Sequence, residues 1–137
     1  MANPPAGFRA LIVDDNLVDR RVLMRLLAAH ATVDCAANAA EAVTAIDAAR
    51  LAGRPYALIS LDIDLVTISG HLVLRHIRAS ETAGSGAAAR VLMVSAHDEI
   101  AHVMQSFENL ADGYLHKPVT AATLHGKLQE FGLMPPA

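Results

Sequence analysis

Five short strand-like runs, four of them delivering a polar residue at or just beyond the far end, constrain this chain more than anything else in its sequence. Phe8 to Val13 runs into Asp14-Asp15, and Tyr56 to Leu61 runs into Asp62 and Asp64. Val91 to Val94 is followed by Ser95, the short segment Gly113 to Leu115 leads to Lys117, and Thr32 to Ala36 completes the set. Runs of this length without strict alternation are what strands covered on both faces look like, as in a parallel sheet.

The intervening stretches carry helical periodicity. Asn16 can cap a helix in which Val22, Leu23, Leu26 and Leu27 recur on one face, with Arg20, Arg21 and Arg25 pointing elsewhere. Asn38 with Glu41 three residues on resembles a capping box, and Ala39, Ala42, Val43 and Ile46 follow at helical spacing until Gly53 and Pro55. Ser69-Gly70 opens a third helix carrying Val73, Leu74 and Ile77. Ala79 to Ala89, rich in Ala, Gly and Ser, reads as a surface connection. Ile100, Val103, Met104 and Phe107 mark a fourth helix, and Leu124, Leu128 and Phe131 a fifth. Five strands alternating with five helices give an α/β class, a doubly wound five-stranded parallel sheet, because parallel neighbours need crossover connections and these are right-handed. The 137 residues suit one domain, 1–137, with a core over about 8–132.

Composition narrows the function. The chain is 53% hydrophobic and 18% charged with a formal net charge of −3, and no basic cluster exceeds Arg20-Arg21 with Arg25, so direct nucleic-acid binding is not expected. No apolar run approaches the roughly 20 residues that cross a bilayer, so no membrane association is expected. The single cysteine, Cys35, reads as a small core residue, and with no signal-peptide pattern at the start it fits a cytoplasmic location.

In a doubly wound sheet ligands sit beyond the carboxyl ends of the strands, where Asp14, Asp15, Asp62, Ser95 and Lys117 all fall. Carboxylates gathered there repel one another and call for a cation. Hard oxygens without a thiolate or histidine pattern favour Mg²⁺ or Mn²⁺. Ser95 can donate to a phosphoryl oxygen, Lys117 can neutralise another, and Asp62 can act as a nucleophile giving an acyl phosphate. Phosphoryl transfer is mostly positioning and electrostatics, so this parts list suffices.

With these residues in place the sequence resembles the receiver domains of two-component response regulators, of the single-domain, chemotaxis-regulator-like kind, over nearly its whole length. Asp14-Asp15 looks like the family's metal-binding pair and Asp62 like its phosphoacceptor. Gly70 stands eight residues beyond Asp62, where receivers usually have glycine, and Ser95-Ala96 matches the switch hydroxyl and its neighbour. Tyr114-Leu115-His116-Lys117-Pro118 looks like the last-strand signature, with the switch aromatic at Tyr114, the lysine at Lys117 and commonly a cis bond to the proline. The resemblance implies a flavodoxin-like sheet of order 2-1-3-4-5, a common order among doubly wound sheets. It also implies Mg²⁺ on Asp15, Asp62 and Asp14, the last directly or through water, with the backbone carbonyl of Asp64. A sensor histidine kinase or phosphotransfer protein would supply the phosphoryl group, and a downstream protein would read the altered face bordered by Ile100, Met104, Tyr114 and Leu124. The chain would be a monomer or a phosphorylation-dependent dimer, and not a conventional enzyme. Val66 departs from the family's proline, and Asp64 and His97 hold positions that influence phosphoryl lifetime in receivers.

Other readings compete. Asp62-Ile63-Asp64-Leu65-Val66 fits the D-x-D-x-[TV] motif of haloacid-dehalogenase-type phosphatases, although those enzymes usually carry it on their first strand. A degenerate receiver that binds partners without phosphorylation is the third reading. Seven histidines invite a metal site, but His71/His76 and His97/His102 are five apart and split around a helix, and His30 as a phosphohistidine would need a helical bundle.

Overall fold

The computed structural model describes residues 7–62, 67–83, 88–96 and 111–134. Five strands form one parallel sheet: β1 (Phe8–Val13), β2 (Ala31–Ala36), β3 (Leu58–Asp62), β4 (Arg90–Ser95) and β5 (Gly113–His116). Their order is β2-β1-β3-β4-β5, and every pairing is parallel. Among the described residues the helices are α1 (Leu17–Ala28), α2 (Ala39–Leu51), α3 (Thr67–Ala83) and α4 (Ala121–Glu130). The helix expected around Ile100 to Phe107 lies outside the described residues.

Period-two alternation sorts the strand residues between two cores. Leu11, Val13, Ile59, Leu61, Val91 and Met93 pack with Ala42 and Ile46 of α2 and Val73, Leu74 and Ile77 of α3. Ala10, Ile12, Leu58, Leu92, Val94 and Leu115 pack with Leu23 and Leu27 of α1 and Leu124 and Leu128 of α4. Both faces of the three central strands are therefore dry, which explains why their sequences run apolar without alternation. Cys35, expected in the core, is half-buried on the edge strand β2.

Local chemistry sets the helix ends. Asn16 and Asn38 accept from the N–H groups of Asp19 and Glu41 at 3.0 and 2.9 Å. Glu41 reaches past the cap to accept from the Ala37 N–H at 2.8 Å, a wider variant of the expected box. Gly53 (φ 71) and Gly132 (φ 76) hold the left-handed positions that end α2 and α4. In both cases the N–H groups after the helix return to carbonyls of its last turn, as from Arg54 to Ala49 at 2.9 Å and from Leu133 to Leu128 at 2.8 Å.

One sequence expectation is corrected. α3 runs on to Ala83, so the first part of Ala79 to Ala89 is helix and not connection. Alanine's helix propensity carries it there, and Arg78 fastens the end by pairing with Glu81 at 2.7 Å while donating to the Ala89 carbonyl at 2.9 Å. At the sheet's opposite edge Tyr56 donates to Asp34 at 2.7 Å and Arg9 stacks on its ring at 4.8 Å. Burial, then the bond to Asp34, push the Tyr56 phenol up to about 12.

Leu27 is fully buried and Leu51 is 90% exposed. Leu27→Ala should therefore cost about 2–5 kcal/mol in urea unfolding, whereas Leu51→Ala should stay within about 0.5 kcal/mol. Equal effects would refute the two-core assignment.

Candidate functional site

β1 and β3 are neighbours, yet the chain leaves β1 for β2 on one side and β3 for β4 on the other. The helices that follow them cover opposite faces, α1 with the one core and α3 with the other, leaving a crevice beyond the carboxyl ends of β1 and β3. Asp14 follows β1 and Asp62 is the last residue of β3, so the topology itself brings these acids together.

Asp14 and Asp62 are 1% and 2% exposed, and Asp15 beside them is exposed. One carboxylate oxygen from each of the three lies within 4.8 Å of the others, the one such trio of potential metal ligands among the described residues. Asp14 is held on several sides. Its N–H donates to the Ala36 carbonyl at 3.0 Å, its carboxylate accepts from the Asn16 N–H at 2.8 Å, and its carbonyl accepts from the Arg20 guanidinium at 2.8 Å.

Lys117 enters from the far side of the sheet. β5 ends at His116, whose register partner is Ser95, and the Lys117 N–H donates to the Ser95 carbonyl at 2.7 Å before a cis peptide bond leads to Pro118. From that anchor the ammonium Nζ lies 2.8 Å from Asp19, 3.3 Å from Asp62 and 3.4 Å from Asp14. Burial works to lower its pKa, but the hydrogen bond to Asp19 and the charges of Asp62, Asp14 and Asp19 prevail and raise it above the usual lysine range. Lys117 is thus a fixed positive charge at neutral pH.

Ser95 closes β4 and is buried, one rung beyond the pairing of Asp62 with Val94. Tyr114 lies on β5 and is 43% exposed, with its ring outside the core. Gly70 sits in the first turn of α3. Asp64, Val66, His97, Ile100 and Met104 lie outside the described residues. Three of the described histidines make other contacts: His76 meets Asp47 at 2.7 Å, and His30 meets His125 at 3.1 Å.

Sequence reasoning missed Asp19. It stands in the first turn of α1, where an acid is expected for the helix dipole alone, and nothing in its spacing announces that it reaches Lys117 across 98 residues of chain. Asp14, Asp62 and Asp19 crowd around one ammonium, with Asp15 beside the first two and Arg20 at the margin, so the crevice stays strongly negative. Its donors are hard oxygens, which fit a small divalent cation such as Mg²⁺.

A family model described as the response regulator receiver domain matches residues 10–129. The chain is 28% identical over 131 residues to hybrid signal transduction histidine kinase A of Dictyostelium discoideum, covering 94% of this chain and 6% of that protein. The chain spans 6%, 7% and 19% of three curated relatives it matches. Among solved structures it is similar to the Saccharomyces cerevisiae receiver domain of Ssk1, solved with the histidine phosphotransfer protein Ypd1, at 26% identity and TM-score 0.75, covering 94% of this chain and 91% of that one. It is also similar to the receiver domain of the sensor histidine kinase PA1611 from Pseudomonas aeruginosa, which holds a magnesium ion in its active-site cleft. That match has 26% identity and TM-score 0.72, covering 92% of this chain and 98% of that one.

Lys117→Met leaves Asp14 and Asp62 buried without their ammonium, and should cost on the order of 3 kcal/mol in EDTA. Mg²⁺ should restore part of that loss in urea melts of the variant. Because the lysine pKa is raised on folding, its contribution is whole below about pH 10.4 and fades above it. Wild type should accordingly lose stability above that pH more steeply than Lys117→Met. Equal stability in EDTA would show that the ammonium is not what the carboxylates lean on.

Proposed function

The chain belongs to the response regulator receiver domain family, and on that premise we propose that Asp62 accepts a phosphoryl group with Asp14 and Asp15 holding Mg²⁺ beside it. The observation that carries this reading is the gathering of three carboxylates at two adjacent strand ends, two of which, Asp14 and Asp62, meet one ammonium delivered from a third strand.

An Asp62 carboxylate oxygen attacks phosphorus, a new O–P bond forms, and the bond to the donor's leaving group breaks with its electron pair. When bound, the divalent cation supplies charge neutralisation for the phosphoryl oxygens. Asp15 and Asp62 would hold it directly, Asp14, fixed by backbone contacts, directly or through water, and by the resemblance the Asp64 carbonyl would be a further ligand. Mn²⁺ is expected to substitute for Mg²⁺. Lys117 meets one phosphoryl oxygen and the Ser95 hydroxyl donates to another. As Ser95 is drawn in, Tyr114 turns from its exposed position into the space left near the hydroxyl. The two arrangements then differ in free energy because phosphoryl contacts exist in only one of them.

The phosphoryl source is a sensor histidine kinase or a phosphotransfer protein, a pairing supported by the yeast receiver and phosphotransfer complex. The altered surface is read by a downstream protein. The chain acts as a phosphoacceptor taking part in its own phosphorylation and dephosphorylation, and not as a turnover enzyme. A cytoplasmic setting fits a kinase partner, and none of the described helices is long and apolar enough to cross a membrane. The family match accounts for Asp62-Ile63-Asp64 without the phosphatase reading.

Intact mass after incubation with Mg²⁺ and acetyl phosphate should show one phosphoryl adduct on wild type. Asp62→Asn or a metal-free sample should show none. A wild type that neither carries an adduct nor releases phosphate would leave only the phosphorylation-independent receiver.

A further inference from the structure

We propose that Asp19 is a positioning residue that restrains phosphoryl uptake by competing for the Lys117 ammonium. The proposal rests on the receiver reading above and on the distances around Nζ. Asp19 is the nearest of the three carboxylates, at 2.8 Å against 3.3 Å for Asp62 and 3.4 Å for Asp14.

An ammonium has three N–H donors, and three carboxylates can engage all of them. A phosphoryl oxygen arriving on Asp62 must therefore take a donor from one of the three. Asp14 and Asp62 are buried, and until the cation and the phosphoryl group have reached them neither can give up its share without leaving a charge in a dry place. The Asp19 carboxylate is 38% exposed, so water can take over when Lys117 leaves it. It is the contact that gives way.

Asp19 is not needed to keep Lys117 in the crevice, because two buried carboxylates and the backbone bond to Ser95 already do so. Nor does it belong to the trio of potential metal ligands. What it adds is a negative charge beside the point where an anionic donor arrives, and a hold on the cation that donor needs. A cavity lined by Asp19, Val22, Leu23, Val94, Lys117 and Pro118 flanks the lysine on the Asp19 side, so that contact is not packed shut.

The test is the initial rate of adduct formation from acetyl phosphate at saturating Mg²⁺, in the wild-type chain, Asp19→Asn, Asp19→Ser and Glu41→Gln. Glu41 is also an acid in the first turn of a helix, α2, and makes no contact with Lys117, so its variant removes the same charge without freeing the ammonium. Both Asp19 variants should react about two- to fivefold faster, the range an exposed ion pair accounts for, while Glu41→Gln should match wild type. A purely structural role for Asp19 would leave the rate unchanged or lower it. Asp19 variants that are no faster overturn the proposal, as does equal acceleration in Glu41→Gln, which would mark a general charge effect. A wild type that neither carries an adduct nor releases phosphate would overturn the phosphoacceptor reading itself, and the proposal with it.

Discussion

Like charges packed at the edge of a dry sheet are the constraint from which the rest of this structure follows. Two carboxylates that are almost wholly buried, with a third beside them, repel one another. The Lys117 ammonium makes the arrangement tolerable at neutral pH. That role in turn dictates where β5 must end, why Lys117 is tied to the Ser95 carbonyl, and why the connection into α4 begins there. The compensation is incomplete, because one ammonium does not balance the surrounding carboxylates. The residual negative charge is a standing demand for a divalent cation and a penalty on every approaching anion. Both properties suit a site that is to stay idle until cation and phosphoryl donor are present together.

Much of this was legible in the sequence because the strands are covered on both faces. Dry strands cannot hide their boundaries, so the apolar runs at Phe8 to Val13 and Tyr56 to Leu61 pointed to the acids at their ends, and the sheet placed those acids side by side. Asn16 and Asn38 marked their helix starts because short polar side chains do one thing well there. The end of α3 was less readable: an alanine-rich stretch has no periodicity to lose, and only the tertiary contacts of Arg78 show where helix gives way.

Asp19 was illegible for a different reason. A single acid in the first turn of a helix has a sufficient local explanation, and its contact with Lys117 is a long-range fact that no window of sequence contains. Strand order was likewise not in the periodicity. It came from resemblance, since every order of five parallel strands asks for the same pattern of apolar runs and crossover helices.

The division of the apolar residues into two cores has a consequence for how such a chain can change over time. Asp14 and Asp62 share the strand parity of Ile12 and Leu58, residues of the core beneath α1 and α4, and Asp19 and Lys117 belong to that side as well. The sheet works as a partition wall. Substitutions in the α2 and α3 layer alter volume and surface in a compartment that the charge cluster does not lean on, so that flank is free to drift, while the other is held by electrostatics as well as packing. A single-residue insertion in β3 is another matter: with a side-chain period of two, it would turn Asp62 through the wall into the wrong compartment. The lineage of a chain like this should therefore tolerate many substitutions on one flank and very few changes of length in the strand between them.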